Sequence, residues 1–182
     1  MRFTYLFSLL AAGLLSSCSP TLSVFDRKLY ENQNWSDDEL KRIQFYLSED
    51  LTIYRYLDEE GGTTITSGQI KMVDGRKTEQ IFFAQRTPGV FLFRPKDDHL
   101  AISFEDKGNE YYLTFGPNPK YGGQYMLLAT EWDRKTGKVT YAGKKFYTSS
   151  VEIPRLLVNL KKESRNTIEG RKAAGRTIEG GR

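Results

Sequence analysis

The chain has 182 residues, with 27 Lys or Arg, 23 Asp or Glu, one His, one Cys and a formal net charge of +4. A single cysteine and a single histidine exclude an internal disulfide and a Cys/His zinc site. Residues 161–182 carry seven Lys or Arg against three Glu, while residues 19–160 hold 19 basic and 20 acidic side chains. The body is thus close to neutral, and a nucleic-acid-binding reading has no electrostatic support in it.

The chain opens on Arg2, continues through an apolar run from Leu6 to Leu15 and closes on Ser16-Ser17-Cys18. A charged start, an apolar centre and small residues at a cut form the layout of a secretory signal, and the run is too short to span a bilayer comfortably. Leu15-Ser16-Ser17-Cys18 resembles the lipobox of bacterial lipoproteins. The resemblance covers residues 1–19. It implies cleavage between Ser17 and Cys18, a diacylglycerol thioether on the Cys18 sulfur and an acylated amine. Two or three chains together make a stable anchor where one is marginal. In that family an aspartate after the cysteine often marks inner-membrane retention, so Ser19 points to the outer membrane. The run Ser19-Pro20-Thr21-Leu22-Ser23 lacks the acidic cluster of surface-exported members, which favours the periplasmic face.

Removal of residues 1–17 leaves 165, enough for one domain with a core. Residues 18–33 read as an irregular lipidated tether. Ser36 and Glu39 then form a capping box, with Asp37 and Asp38 in the first turn and a possible staple from Trp35 to Leu40. Leu40, Ile43 and Leu47 share a face at helical spacing, so a helix is expected to run to about Ser48–Asp50. The rival reading places Ile43, Phe45 and Leu47 on a strand at period two.

Strand patterns follow. Leu51–Leu57 ends at an acidic turn before Gly61-Gly62, and Thr63–Val73 ends at Asp74-Gly75, a favoured hairpin pair. Thr78–Gln85 leads to Thr87-Pro88-Gly89, which has type II turn chemistry. Next come Val90–Arg94, an alternating Leu100–Phe104, an alternating Tyr111–Phe115 and a Pro/Gly loop at 116–123. The continuous apolar run from Tyr125 to Ala129 suggests a central strand buried on both faces. A turn at Asp133–Lys138, a tight pair around Ala142-Gly143 and an apolar Ile153–Leu160, strand or short helix, complete the domain. Short strands with turn signals every 8–12 residues predict a mainly β fold, an antiparallel sandwich or small barrel of about eight or nine strands with one short N-terminal helix. The domain is expected over residues 34–160. Residues 161–182 repeat Thr-Ile-Glu-Gly, are basic and Gly-rich, and are expected to be disordered. They suit either anionic head groups and polyanionic wall material or a purely solubilising role.

No catalytic constellation stands out. His99 follows Asp97-Asp98 and reads as a solvated turn, since nothing completes a triad. The acidic clusters at 37–39, 49–50, 58–60 and 97–98 lack calcium-loop spacing, and the loop at 116–123 is no phosphate cradle. No cofactor and no metal are expected. Tyrosine is abundant, and it suits interfaces because it joins an apolar ring to a polar tip. Tyr121, Trp132 and Tyr125 are the binding candidates. The expectation is a non-enzymatic envelope lipoprotein, held to the membrane through Cys18 and bound to an envelope protein partner through a strand edge or aromatic loop. The alternatives are a lipocalin-like carrier of a small apolar ligand and a carboxylate-based hydrolase.

Overall fold

Period-two alternation is realised in a computed structural model as two antiparallel sheets. The structure describes residues 21–57, 68–73, 75–133, 136–149, 151 and 153–159. The expected signal, Ser17, Cys18, the acidic turn at 58–60 and the tail at 161–182 lie outside them. The first sheet has the order β1 (Ser23–Val24), β13 (Leu156–Val158), β2 (Gln44–Leu47), β6 (Pro88–Lys96), β7 (His99–Ser103), β8 (Leu113–Asn118) and β9 (Gln124–Leu127). The second has the order β10 (Glu131–Asp133), β11 (Thr136–Tyr141), β12 (Lys144–Ser149), β3 (Leu51–Tyr56), β5 (Arg76–Phe83) and β4 (Gln69–Val73). The fold is a β-sandwich, with thirteen strands among the described residues where about eight or nine were expected.

The larger sheet is rolled. Tyr125 N–H donates to Phe25 O at 3.0 Å and Leu127 N–H to Pro154 O at 3.0 Å. These bonds bring β9 at one end of the sheet against β1 and the approach to β13 at the other. The run from Tyr125 to Leu127 is buried as its apolar sequence requires. It closes the roll, however, and is not the central strand expected. One cluster of buried side chains joins the two sheets, with Phe45, Leu100, Phe115 and Leu156 from the first and Ile53, Phe83, Tyr141 and Phe146 from the second. Each such side chain removed from water contributes about 1.5–3 kcal/mol, and these have no disulfide to help them.

The N-terminal helical expectation is corrected. Ser36 caps as predicted, its hydroxyl accepting from Glu39 N–H and its own N–H donating to the Glu39 carboxylate, but the helix α2 is a single turn, Asp37–Leu40. Ile43, Phe45 and Leu47 then point into the core at period two, and β2 pairs with β6 and β13. Pairing on both sides outweighs the local preference for helix. Residues 23–33, expected to belong to an irregular tether, are structured as well. Ser23–Val24 is a strand, Phe25 is fully buried, and Arg27–Gln33 is a helix, α1, capped by Asp26. The domain therefore includes residues 23–33.

The turn expected at Thr87-Pro88-Gly89 falls earlier. Thr87 N–H donates to Ala84 O at 3.0 Å, and Arg86 takes the positive φ of 63°. Pro88 and Gly89 belong to β6, where a Cβ on Gly89 would lie 2.5 Å from the Phe104 ring. Glycine is needed there for close packing. At Ala142-Gly143 the two residues have φ of 50° and 70°, the left-handed pair of a type I′ hairpin between β11 and β12.

Candidate binding face

The predicted site residues do not form one site. Tyr125 is fully buried, with its ring centroid 4.8 Å from that of Phe25 and 5.7 Å from that of Tyr30. Burial, chiefly, pushes its phenol up from the usual range. Tyr125 is a core residue, and the expectation of a binding role is corrected. Tyr121 is 54 % exposed on a 3₁₀ turn, Pro119–Tyr121, between β8 and β9. Trp132 is 41 % exposed on β10, the outer strand of the second sheet, and its ring lies over Gly137. These two belong to different sheets.

The corner at Asp97–His99 is a strut. Arg27 donates to Asp98 at 2.8 Å, Tyr30 donates to the Asp97 carbonyl at 3.2 Å, and His99 Nε2 lies 3.4 Å from Asp98 Oδ1. Helix α1 is thereby fastened to the β6–β7 hairpin. Two further carboxylates are engaged, Glu79 inside the sandwich and Glu105 partly exposed at its margin. Glu79 accepts from Arg55 at 2.7 Å and from Gly68 N–H at 3.0 Å, fully buried. Glu105 accepts from the Tyr141 hydroxyl and from Lys107 at 2.7 Å. Burial first, and the bond to Glu105 second, push the Tyr141 phenol far up. Among the described residues, no three His, Cys, Asp or Glu side chains gather as a metal set. The same residues contain no helix long and apolar enough to cross a membrane.

The feature that does assemble is the outer face of the second sheet. Along β3, Leu51, Ile53 and Arg55 face inwards, so Tyr54 and Tyr56 face outwards. Along β12, Phe146 and Thr148 are buried and Tyr147 faces outwards. Register then sets one residue from each of six strands in a row: Glu131, Lys138, Tyr147, Tyr54, Gln80 and Gln69. Thr52 and Phe82 sit opposite each other beside this row, and Phe82 is 61 % exposed.

Three rings meet at its centre. Tyr54 and Tyr147 have centroids 5.8 Å apart at 33°, Tyr54 and Tyr56 5.8 Å at 86°, and Tyr56 and Tyr147 6.1 Å at 55°. The Arg76 guanidinium lies 3.9 Å from the Tyr56 ring centroid, a cation–π contact. Lys138 donates to Glu131 at 2.7 Å, which holds the exposed Glu131 carboxyl below its usual range. The Tyr54 phenol is raised, first by burial and then by the neighbouring Tyr56. A hollow of about 460 Å³ is lined by Thr52, Gln69, Lys71, Gln80 and Phe82 together with Gly68, Ile81 and Glu105.

Chemically this is a rigid surface of half-buried rings with hydroxyl and amide tips. Such side chains lose little freedom when a partner covers them. The alternation at 51–56 was the signal for it, since Tyr54 and Tyr56 fall on the face opposite Leu51 and Ile53. Comparison with protein-family models, with curated proteins and with solved structures found no match.

Proposed function

We propose that this protein is a lipid-anchored, non-enzymatic envelope component that holds a protein partner against the outer face of its second sheet. The lipobox-like Leu15–Cys18 supports the anchor, through acyl chains on Cys18, Ser19 supports the outer membrane, and the run Ser19–Ser23 without acidic residues supports the periplasmic side. The observation that carries the binding role is the Tyr54–Tyr56–Tyr147 cluster on a solvent-facing sheet. Three rings gathered on the side of a sheet away from its core suit the anchor residues of an interface.

The carrier alternative needs space within the rolled sheet. Phe25, Phe45, Phe91, Phe115, Tyr125, Leu127 and Val158 from its strands are all buried there, Phe25 and Phe45 with centroids 5.3 Å apart. A hydrolase would need two free carboxylates across a cleft. Glu79 and Glu105 are instead held by Arg55, Lys107 and Tyr141.

The test is affinity capture of the membrane-anchored protein in mild detergent, comparing wild type with Tyr54→Ser/Tyr147→Ser. A partner retained by wild type and lost from the folded variant supports the proposal. Equal recovery from both removes the tyrosine face, and recovery of the protein alone removes the accessory role.

A further inference from the structure

Five neighbouring strands of the second sheet, β11, β12, β3, β5 and β4, contain a single carboxylate, Glu79, and it is buried on the inner side. Their outer side carries Lys138, Lys145, Arg76 and Lys71. Among the described residues, the acidic side chains of this face, Glu131 and Asp133, belong to the outermost strand β10, and Glu131 is already paired with Lys138 at 2.7 Å. The surface around the three tyrosines is therefore cationic. From this arrangement we propose that the partner segment seated on the tyrosines is extended and acidic, with two carboxylates four residues apart on either side of an apolar residue. This inference rests on the reading of the tyrosine face as a protein interface.

Register sets the spacing. Thr78 stands opposite both Tyr56 and Lys71. Tyr147 stands opposite Tyr54, so the same antiparallel register brings Lys145 beside Tyr56 two residues along. One row across the sheet thus reads Lys145, Tyr56, Thr78 and Lys71. Both lysines are exposed, and neither forms an ion pair among the described residues. Three strand spacings, about 14 Å, separate them. An extended chain rises about 13 Å over four residues, and its first, third and fifth side chains share one side. A segment lying across the strands can therefore set one carboxylate on each lysine and rest its central residue on the rings between them. The Arg76 guanidinium over the Tyr56 ring adds positive charge beside the same row. An apolar or basic surface laid here would desolvate these cations without compensation, whereas carboxylates offset that cost and select against basic partners.

Fluorescence anisotropy with three labelled peptides reads the preference: Glu-Thr-Phe-Thr-Glu and its counterparts with both Glu replaced by Gln or by Lys. The full chain is used in neutral detergent micelles, as wild type, Lys71→Gln/Lys145→Gln and Tyr54→Ser/Tyr147→Ser, each checked for folding by circular dichroism. The acidic peptide should bind wild type about tenfold more tightly than the Gln peptide at low ionic strength, with the Lys peptide weakest and the preference lost at about 0.5 M salt. The lysine variant should bind the acidic peptide no better than the Gln peptide. Equal affinity of wild type for the Glu and Gln peptides overturns the proposal. So does an acid preference unchanged in the lysine variant, which would assign it to basic residues elsewhere in the chain. Either result, beside a partner that wild type captures and the tyrosine variant does not, leaves the interface standing without its acidic occupant. An acid preference that needs the lysines but not the tyrosines removes the tyrosine interface and overturns the seating proposed here.

Discussion

Arg55 on β3 and Glu79 on β5 face each other across the sheet and form an ion pair at 2.7 Å inside the sandwich. Both side chains are buried, so each depends on the other to offset its desolvation. Arg55 also lies 5.8 Å from the Phe146 ring centroid, and Glu79 holds Gly68 N–H. The pair fastens β3 to β5 and fixes the start of β4. Glu79→Ala should cost about 3–5 kcal/mol, because it removes a charged partner from the buried Arg55 guanidinium. Arg55→Met/Glu79→Leu should recover most of that loss. Urea denaturation of the two variants decides it, and a double variant as weak as the single one would show that the pair's other contacts dominate.

Gly89 is predicted to be the glycine of the first sheet least tolerant of a methyl group. A Cβ there meets the Phe104 ring at 2.5 Å and the Ile102 side chain at 2.7 Å. Gly89→Ala should lose about 1–3 kcal/mol by overpacking. Gly137→Ala should act differently, since a Cβ would meet the Trp132 ring at 2.6 Å on an exposed strand. There the indole moves aside, and a red shift in Trp emission with little change in denaturation midpoint is the expected reading.

Tyr125 offers a sign test of burial without hydrogen bonding. Its hydroxyl oxygen is buried with no hydrogen-bond partner among the described residues. Tyr125→Phe removes an unsatisfied polar group and should leave stability equal or raised by up to about 1–2 kcal/mol. A clear loss on thermal denaturation would mean that the hydroxyl is satisfied in solution.

Tyr141 gives the pH dependence. Its phenol titrates above the ordinary value of 10.0 because it is buried and bonded to Glu105. The folded state therefore holds its proton more tightly than the unfolded state. The resulting stability is fully present below pH 10 and is lost as the pH rises beyond it. At pH 8, Tyr141→Phe should be less stable by about 1.5–3 kcal/mol, the worth of a hydrogen bond to a charged group. The gap should narrow above pH about 10, because only the wild type gives up proton-linked stability there. Denaturation of both proteins from pH 8 to 11 measures it, and a gap that widens would contradict the assignment.

Most of the second sheet was legible in the residues themselves. Leu51-Thr52-Ile53-Tyr54-Arg55-Tyr56 alternates strictly, and Ala142-Gly143 marks its hairpin. What could not be read locally was pairing at long range. Ser36–Glu39 carries a true helix start, yet Ile43, Phe45 and Leu47 are taken into the sheet by β6 and β13, whose paired residues lie 42–46 and more than 100 positions later. Phe25 looks like part of a tether in the sequence because nothing nearby signals the Phe45, Trp35 and Tyr125 rings that enclose it. The binding face lay between these extremes. Its residues alternate visibly within each strand, but only the register of β12 on β3 brings Tyr147 beside Tyr54.

Photo-crosslinking from position 147 in the membrane-anchored protein, with position 121 as the control, asks whether the proposed partner covers Tyr54 and Tyr147. One discrete crosslinked partner is expected from position 147, lost when Tyr54 is replaced by Ser, with no matching product from position 121. Absence of a product from position 147, with the protein folded and anchored, would contradict the proposal.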